Sequence, residues 1–107
     1  MIEWRKSYVH GKLREVIYSL AVGPDDIRKR LFYAHQGFAH IKKTQFPEEL
    51  QADWEWVIKQ LTKFGPAIYF GTLTRGSVEM TCNRIRKQTG VKIAQKILDI
   101  YLYLDNK

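Results

Sequence analysis

Four segments of the chain repeat the same apolar rhythm, and that rhythm limits the fold more than any other feature. Ile27, Leu31, Ala34, Phe38 and Ile41 fall at i, i+4, i+7, i+11 and i+14. This spacing lays all five along one stripe of an α-helix. Val9, Leu13, Val16 and Leu20 repeat it, with Ile17 and Ala21 widening the stripe. Leu50, Trp54, Val57, Leu61 and Phe64 repeat it again, as do Ile93, Ile97, Ile100, Tyr101 and Leu104. A helix with a single apolar stripe is stable only when other helices cover that stripe. The sequence therefore predicts an all-α bundle, with the helix of residues 24–41 as the natural partner of the other three.

Local signals divide the segments. Gly23-Pro24 ends a first helix over residues 4–22, for which Ser7 is a candidate cap. Pro24 would then open the second helix, followed by Asp25 and Asp26 at the positive end of its dipole. Lys42 to Gln45 reads as a polar connector, and Phe46-Pro47-Glu48-Glu49 as a third helix start on which Phe46 folds back. Gly65-Pro66 stops that helix. Residues 65–76 read as irregular, with an apolar stretch at Ala67-Ile68-Tyr69-Phe70 that should lie on the body and one short extended piece. Ser77 should cap a shorter helix near Val78 to Arg86, whose stripe is Val78, Cys82 and Ile85. The expected architecture is a single helical domain over residues 1–107: four main helices and a shorter one, joined by short Gly/Pro turns.

Composition sets the class of chain. Apolar residues make up 45% and charged residues 27%, a globular balance, and the 13% of aromatics suffices to fill a bundle interior. Cys82 is the lone cysteine, which rules out an internal disulfide and any multi-cysteine zinc site. The start, Met1-Ile2-Glu3-Trp4-Arg5-Lys6, lacks the order of a secretory signal, and no apolar run is long enough to span a membrane. The expectation is a cytoplasmic protein with no membrane partner. The formal charge is +7, and basic residues gather in one region: Arg75, Arg84, Arg86, Lys87, Lys92 and Lys96 accompany one acid, Glu79. Such a cluster, preceded by Tyr69 and Phe70, suits a phosphate backbone with stacked bases. Ser77 to Leu98 also allows a helix-turn-helix with Gln88-Thr89-Gly90 as its turn.

Several stretches resemble known groups. Tyr18-Ser-Leu-Ala-Val-Gly-Pro-Asp-Asp-Ile-Arg-Lys-Arg-Leu31 is similar to small free-standing bacterial all-helical proteins with an Ala-x-Gly-Pro turn between two helices. The similarity extends through Phe46 to Leu50, Gly76-Ser77-Val78, Asn83-Arg84-Ile85, Thr89 to Ala94 and Leu98 to Tyr101. It implies an all-helical fold and carries no activity. Separately, Arg30-Leu31-Phe32-Tyr33-Ala34-His35 resembles the Arg-and-His motif of the HEPN ribonucleases, which are small helical bundles and usually dimers. That resemblance implies that Arg30 would hold a scissile phosphate while His35 assists proton transfer.

The remaining chemistry is sparse. His35 and His40 diverge on one helix and His10 is remote, so no histidine metal site is expected. Gly71 to Gly76 lacks the Gly-Lys-Ser/Thr ending of a phosphate loop. Cys82 sits mid-stripe, as a buried structural thiol does. Asp25 and Asp26 point apart and suit a helix start better than an acid–base pair. The sequence thus points to a non-enzymatic binding or regulatory protein without metal or cofactor. Its partner would be another protein, a second copy in a homodimer, or nucleic acid. Trp4, Phe32, Trp56 and Tyr103 lie off the main stripes and would mark a protein interface if exposed together.

Overall fold

A computed structural model describes residues 3–69 and 72–107, apart from the side chains of residues 67, 69 and 72–75. Five α-helices carry the chain: α1 (Tyr8–Val22), α2 (Ile27–His35), α3 (Glu48–Leu61), α4 (Ser77–Arg84) and α5 (Lys87–Asp105). A short hairpin, β1 (Ala67–Tyr69) with β2 (Thr72–Arg75), lies between α3 and α4. Its strands are antiparallel, pairing Ile68 with Leu73 and Tyr69 with Thr72, with an irregularity between Ala67 and Ile68. Among the described residues no helix is long and apolar enough to cross a membrane.

The apolar stripes form one core. Leu13, Leu31, Phe38, Val57, Leu61, Ile93, Ile97 and Leu104 are fully buried, and Trp54 and Ile100 nearly so. The α5 helix, 19 residues long, packs against α1, α2 and α3, so it shares the central place expected of α2. Aromatic edges lock the far side of the core: Phe38 meets Trp54 edge-on at 5.3 Å, and Phe46 lies at 4.7 Å from Trp54. Phe46 does fold back on α3, but two turns in rather than at the first.

Helix ends depart from expectation in ways that backbone chemistry explains. α2 stops at His35, short of Ile41. Beyond it the amides of Gly37, Phe38 and Ile41 bond three residues back, to Ala34, His35 and Phe38. Such tight turns hold nearly the helical phase, so Phe38 and Ile41 still reach the core. Neither proline opens a helix at its first position. Asp26 caps α2 through its carboxylate, which accepts from the Arg28 amide at 2.9 Å, and Asp25 takes a left-handed φ of 66°. Asp is among the few non-glycine residues that tolerate this region. Pro47 is the cap residue of α3, with Glu48 and Glu49 in the first turn.

The helix lengths are 15, 9, 14, 8 and 19 residues, which makes three long helices and two short ones. α4 and α5 join at Ile85-Arg86, a link with neither Gly nor Pro. Gln88, Thr89 and Gly90 therefore belong to the first turns of α5 and are not the turn of a helix-turn-helix. In the hairpin, Ile68 is 64% exposed, so at that residue the apolar stretch stands off the body. Phe70 lies outside the described residues.

Two polar ties reinforce the bundle. The Thr81 hydroxyl, fully buried, donates to the Phe64 carbonyl and accepts from the Phe64 amide, at 3.2 and 3.1 Å. His10, also buried, donates from Nε2 to the Asp105 carboxylate at 2.8 Å and stacks on Tyr101. That contact joins the start of α1 to the end of α5, so the two helices run antiparallel.

Candidate functional site

The described basic residues of the 75–96 region have different partners. The Arg75 backbone lies in β2, and its side chain is outside the described residues. Arg84 ends α4 with its guanidinium 5.1 Å from the centre of the Phe64 ring, and the Lys63 ammonium stands 5.8 Å from the same ring. A helix break separates Arg84 from Lys87, so the two do not share a helical face. Arg86 is the cap residue of α5 and Lys87 its first residue, both at the positive end of the helix dipole. Lys87 also lies near Asp26 and helps to hold that carboxylate ionised. Lys92 and Lys96 do share one side of α5. Lys96 leans on α3, 3.6 Å from the Asp53 carboxylate and 5.7 Å from the Trp56 ring centre.

A polar cleft of about 440 Å³ opens between α2 and α4, walled by Arg28, Lys29, Tyr33, Glu79 and Asn83 over Phe32 and Cys82. Arg28 is its fixed point. It donates to both Asp26 carboxylate oxygens and to the Ile85 carbonyl, so it pins the α4–α5 link to α2. These hydrogen bonds hold the Asp26 carboxyl well below the usual carboxylate range and raise the Arg28 guanidinium further. Burial pushes the Cys82 thiol up to about 11, which keeps it protonated and a poor nucleophile.

Arg30 and His35 are not brought to a common point. Five helical residues apart places them about 140° round the axis from each other. Arg30 reaches the end of α1, donating to the Leu20 carbonyl at 3.3 Å, while its buried Nε has no partner among the described residues. His35 meets Phe38 edge-on at 5.5 Å, and burial lowers its pKa. His40 lies within 3.0 Å of the Tyr8 hydroxyl, and His10 serves Asp105. Among the described residues no three metal-capable side chains gather.

An apolar surface lies elsewhere among the described residues. A trough of about 280 Å³ runs between α1 and α5. Ile17, Leu20 and Ala21 of α1, Ile27 of α2, and Val91, Ala94 and Leu98 of α5 line it, with Gln95 the single polar member. Val91 is 55% exposed, and Leu102 on the same side of α5 is 44% exposed. Val91, Leu98 and Leu102 stand at i, i+7 and i+11, a second stripe about 140° round α5 from the core stripe. The sequence reading missed this surface because it followed the core stripe alone; the second period was there to be read. It looked instead to four off-stripe aromatics. Trp4, Phe32 and Tyr103 pack against the core, and only Trp56 stays 37% exposed. No family model matches this chain, and neither a curated protein nor a solved structure does.

Proposed function

We propose that the protein is a non-catalytic binding module whose working surface is the apolar trough between α1 and α5, and that it receives an amphipathic helical surface of a protein. The carrying observation is the trough itself: seven apolar residues and one amide, with Val91 and Leu102 open to solvent beside it. Contiguous apolar surface on a small protein is costly to hydrate, and groups that cover it recover that free energy. Its shape, a groove between two antiparallel helices, fits a third helix laid along it. The test is a photo-crosslinking amino acid in place of Val91, compared with one in place of Lys59 on the exposed face of α3. The reading predicts defined protein adducts from position 91 and none from position 59. Equal or absent crosslinking at the two positions contradicts it.

A second reading has its own support. Lys63 and Arg84 flank Phe64, while Lys29 and Tyr33 line the neighbouring cleft, so cations and rings alternate as they do where single-stranded nucleic acid is held. Binding of a generic oligonucleotide at low salt, weakened by Arg84→Glu with Lys87→Glu, is its expected outcome. No mobility shift at low salt contradicts it.

A further inference from the structure

We infer that the occupant of the α1–α5 face is a second copy of this chain, with α5 crossing α5 of its partner antiparallel about a twofold axis beside Ala94 and Gln95. The inference rests on the proposed role of that face and names what covers it.

On the outer side of α5 the apolar stripe of Val91, Leu98 and Leu102 is edged by Lys92 and Asp99, which are seven residues apart and hence on one side of the helix. A closed twofold contact must be self-complementary: whatever position n meets, that position meets n in return. With the axis level with Gln95, Val91 of each copy falls within one helical rise, about 1.5 Å, of Leu98 of the other, and Lys92 of each within one rise of Asp99 of the other. Two apolar pairs and two ion pairs then form from a single helix face. The crossing point holds the small Ala94 and the neutral Gln95, which lets the helices approach closely.

The side chains are ready for that pairing. Asp99 accepts from Gln95 Nε2 at 2.8 Å, which steadies its carboxylate at the edge of the stripe and leaves lone pairs for a second donor. Lys92 is exposed and, among the described residues, has no ion-pair partner. The opposite signs at this edge cancel locally, although the whole chain carries +7. The outer stripe runs from Val91 to Leu102, about 16 Å of the helix, and the trough borders its first half. A face this short is small for a specific pair, so the self-association expected is weak and seen only at high protein concentration.

Sedimentation of the purified chain from about 1 to about 500 µM tests this. The mass should rise from 12.6 kDa toward twice that value. Lys92→Asp alone and Asp99→Lys alone each place two like-charge pairs in the contact and should weaken it roughly tenfold. An equimolar mixture of the two variants should restore it, because each copy then offers the charges that the other needs. Circular dichroism checks that the variants stay folded. A monomer at every concentration overturns the inference, and so does a dimer indifferent to both charge variants. If the purified chain stays monomeric while position 91 crosslinks to a different protein, self-association is wrong and the binding role of the face stands. If neither occurs, both fail.

Discussion

Gly23 and His35 show how much one residue can carry. Gly23 has ordinary extended backbone, so it is not there for conformational freedom. A Cβ at that position would lie 2.6 Å from the Ser19 carbonyl oxygen and 3.2 Å from Arg30 Cγ. The carbonyl is helix backbone and cannot move cheaply. Gly23→Ala should cost about 1–3 kcal/mol and lower the thermal midpoint by roughly 5–15 °C, read by circular dichroism. An unchanged midpoint would mean that the α1–α2 turn is looser than described. His35 acts through protonation. Its folded pKa lies below the ordinary value near 6.5, because burial disfavours the imidazolium. The unfolded chain therefore binds the proton more readily, and stability falls as pH drops below about 6.5 toward the folded pKa. His35→Gln should flatten the decline in urea midpoint between about pH 7.5 and 5.5 relative to the wild type. Asp26 acts lower, since its depressed pKa keeps its contribution intact until the pH falls below the ordinary carboxylate value of 3.8.

Among the elements, α5 carries the most. One stripe enters the core, Gly90 lets the first turn approach α2, and the outer stripe stays open. A Cβ on Gly90 would meet Ile27 Cγ2 at 3.0 Å and Leu31 Cδ1 at 3.6 Å. Gly90→Ala gains about 1 kcal/mol of helix propensity against that crowding and should leave stability within about 1 kcal/mol of the wild type. Gly90→Val adds two methyls to the same space and should cost about 1–3 kcal/mol in denaturant unfolding. Equal effects of the two would contradict the close α2–α5 contact. Element existence was legible because period carries it: Val9 to Leu20, Leu50 to Leu61 and Ile93 to Leu104 are helical stripes in sequence and buried stripes in space. The end of α2 was not, because turns bonded three residues back hold nearly the same phase as a helix and Phe38 is buried under either. The α4–α5 break fell at Ile85-Arg86 rather than at Gly90, since a glycine inside a long helix is tolerated where close packing asks for it.

At the scale of the whole molecule, extents of 51 × 27 × 18 Å describe an elongated body. The contact between His10 and Asp105 fixes the antiparallel order of those helices, yet its partners are 95 residues apart and no local pattern predicts it. The candidate surface was half legible. Its residues are a plain second period on α5, whereas its partner wall, Ile17 and Ala21, becomes a wall only once α1 and α5 are known to pack together. The sequence had weighted the cations of residues 75–96 instead, and of these Arg84 meets the Phe64 ring, Arg86 and Lys87 start α5, and Lys96 leans on α3. Salt separates the two kinds of surface. Association through an apolar face of a +7 chain, edged by two ion pairs, should change little from about 50 mM to about 500 mM salt, because screening weakens the pairs and the net repulsion together, whereas polyanion binding should weaken steeply.

The most direct measurement is a set of amide ¹⁵N–¹H correlation spectra recorded as the protein is concentrated. The account predicts that the resonances that move belong to Ile17, Ala21, Val91, Gln95, Leu98 and Leu102, while those of Lys29, Tyr33 and Asn83 stay in place. Shifts centred on the α2–α4 cleft, or none at any concentration, would contradict it.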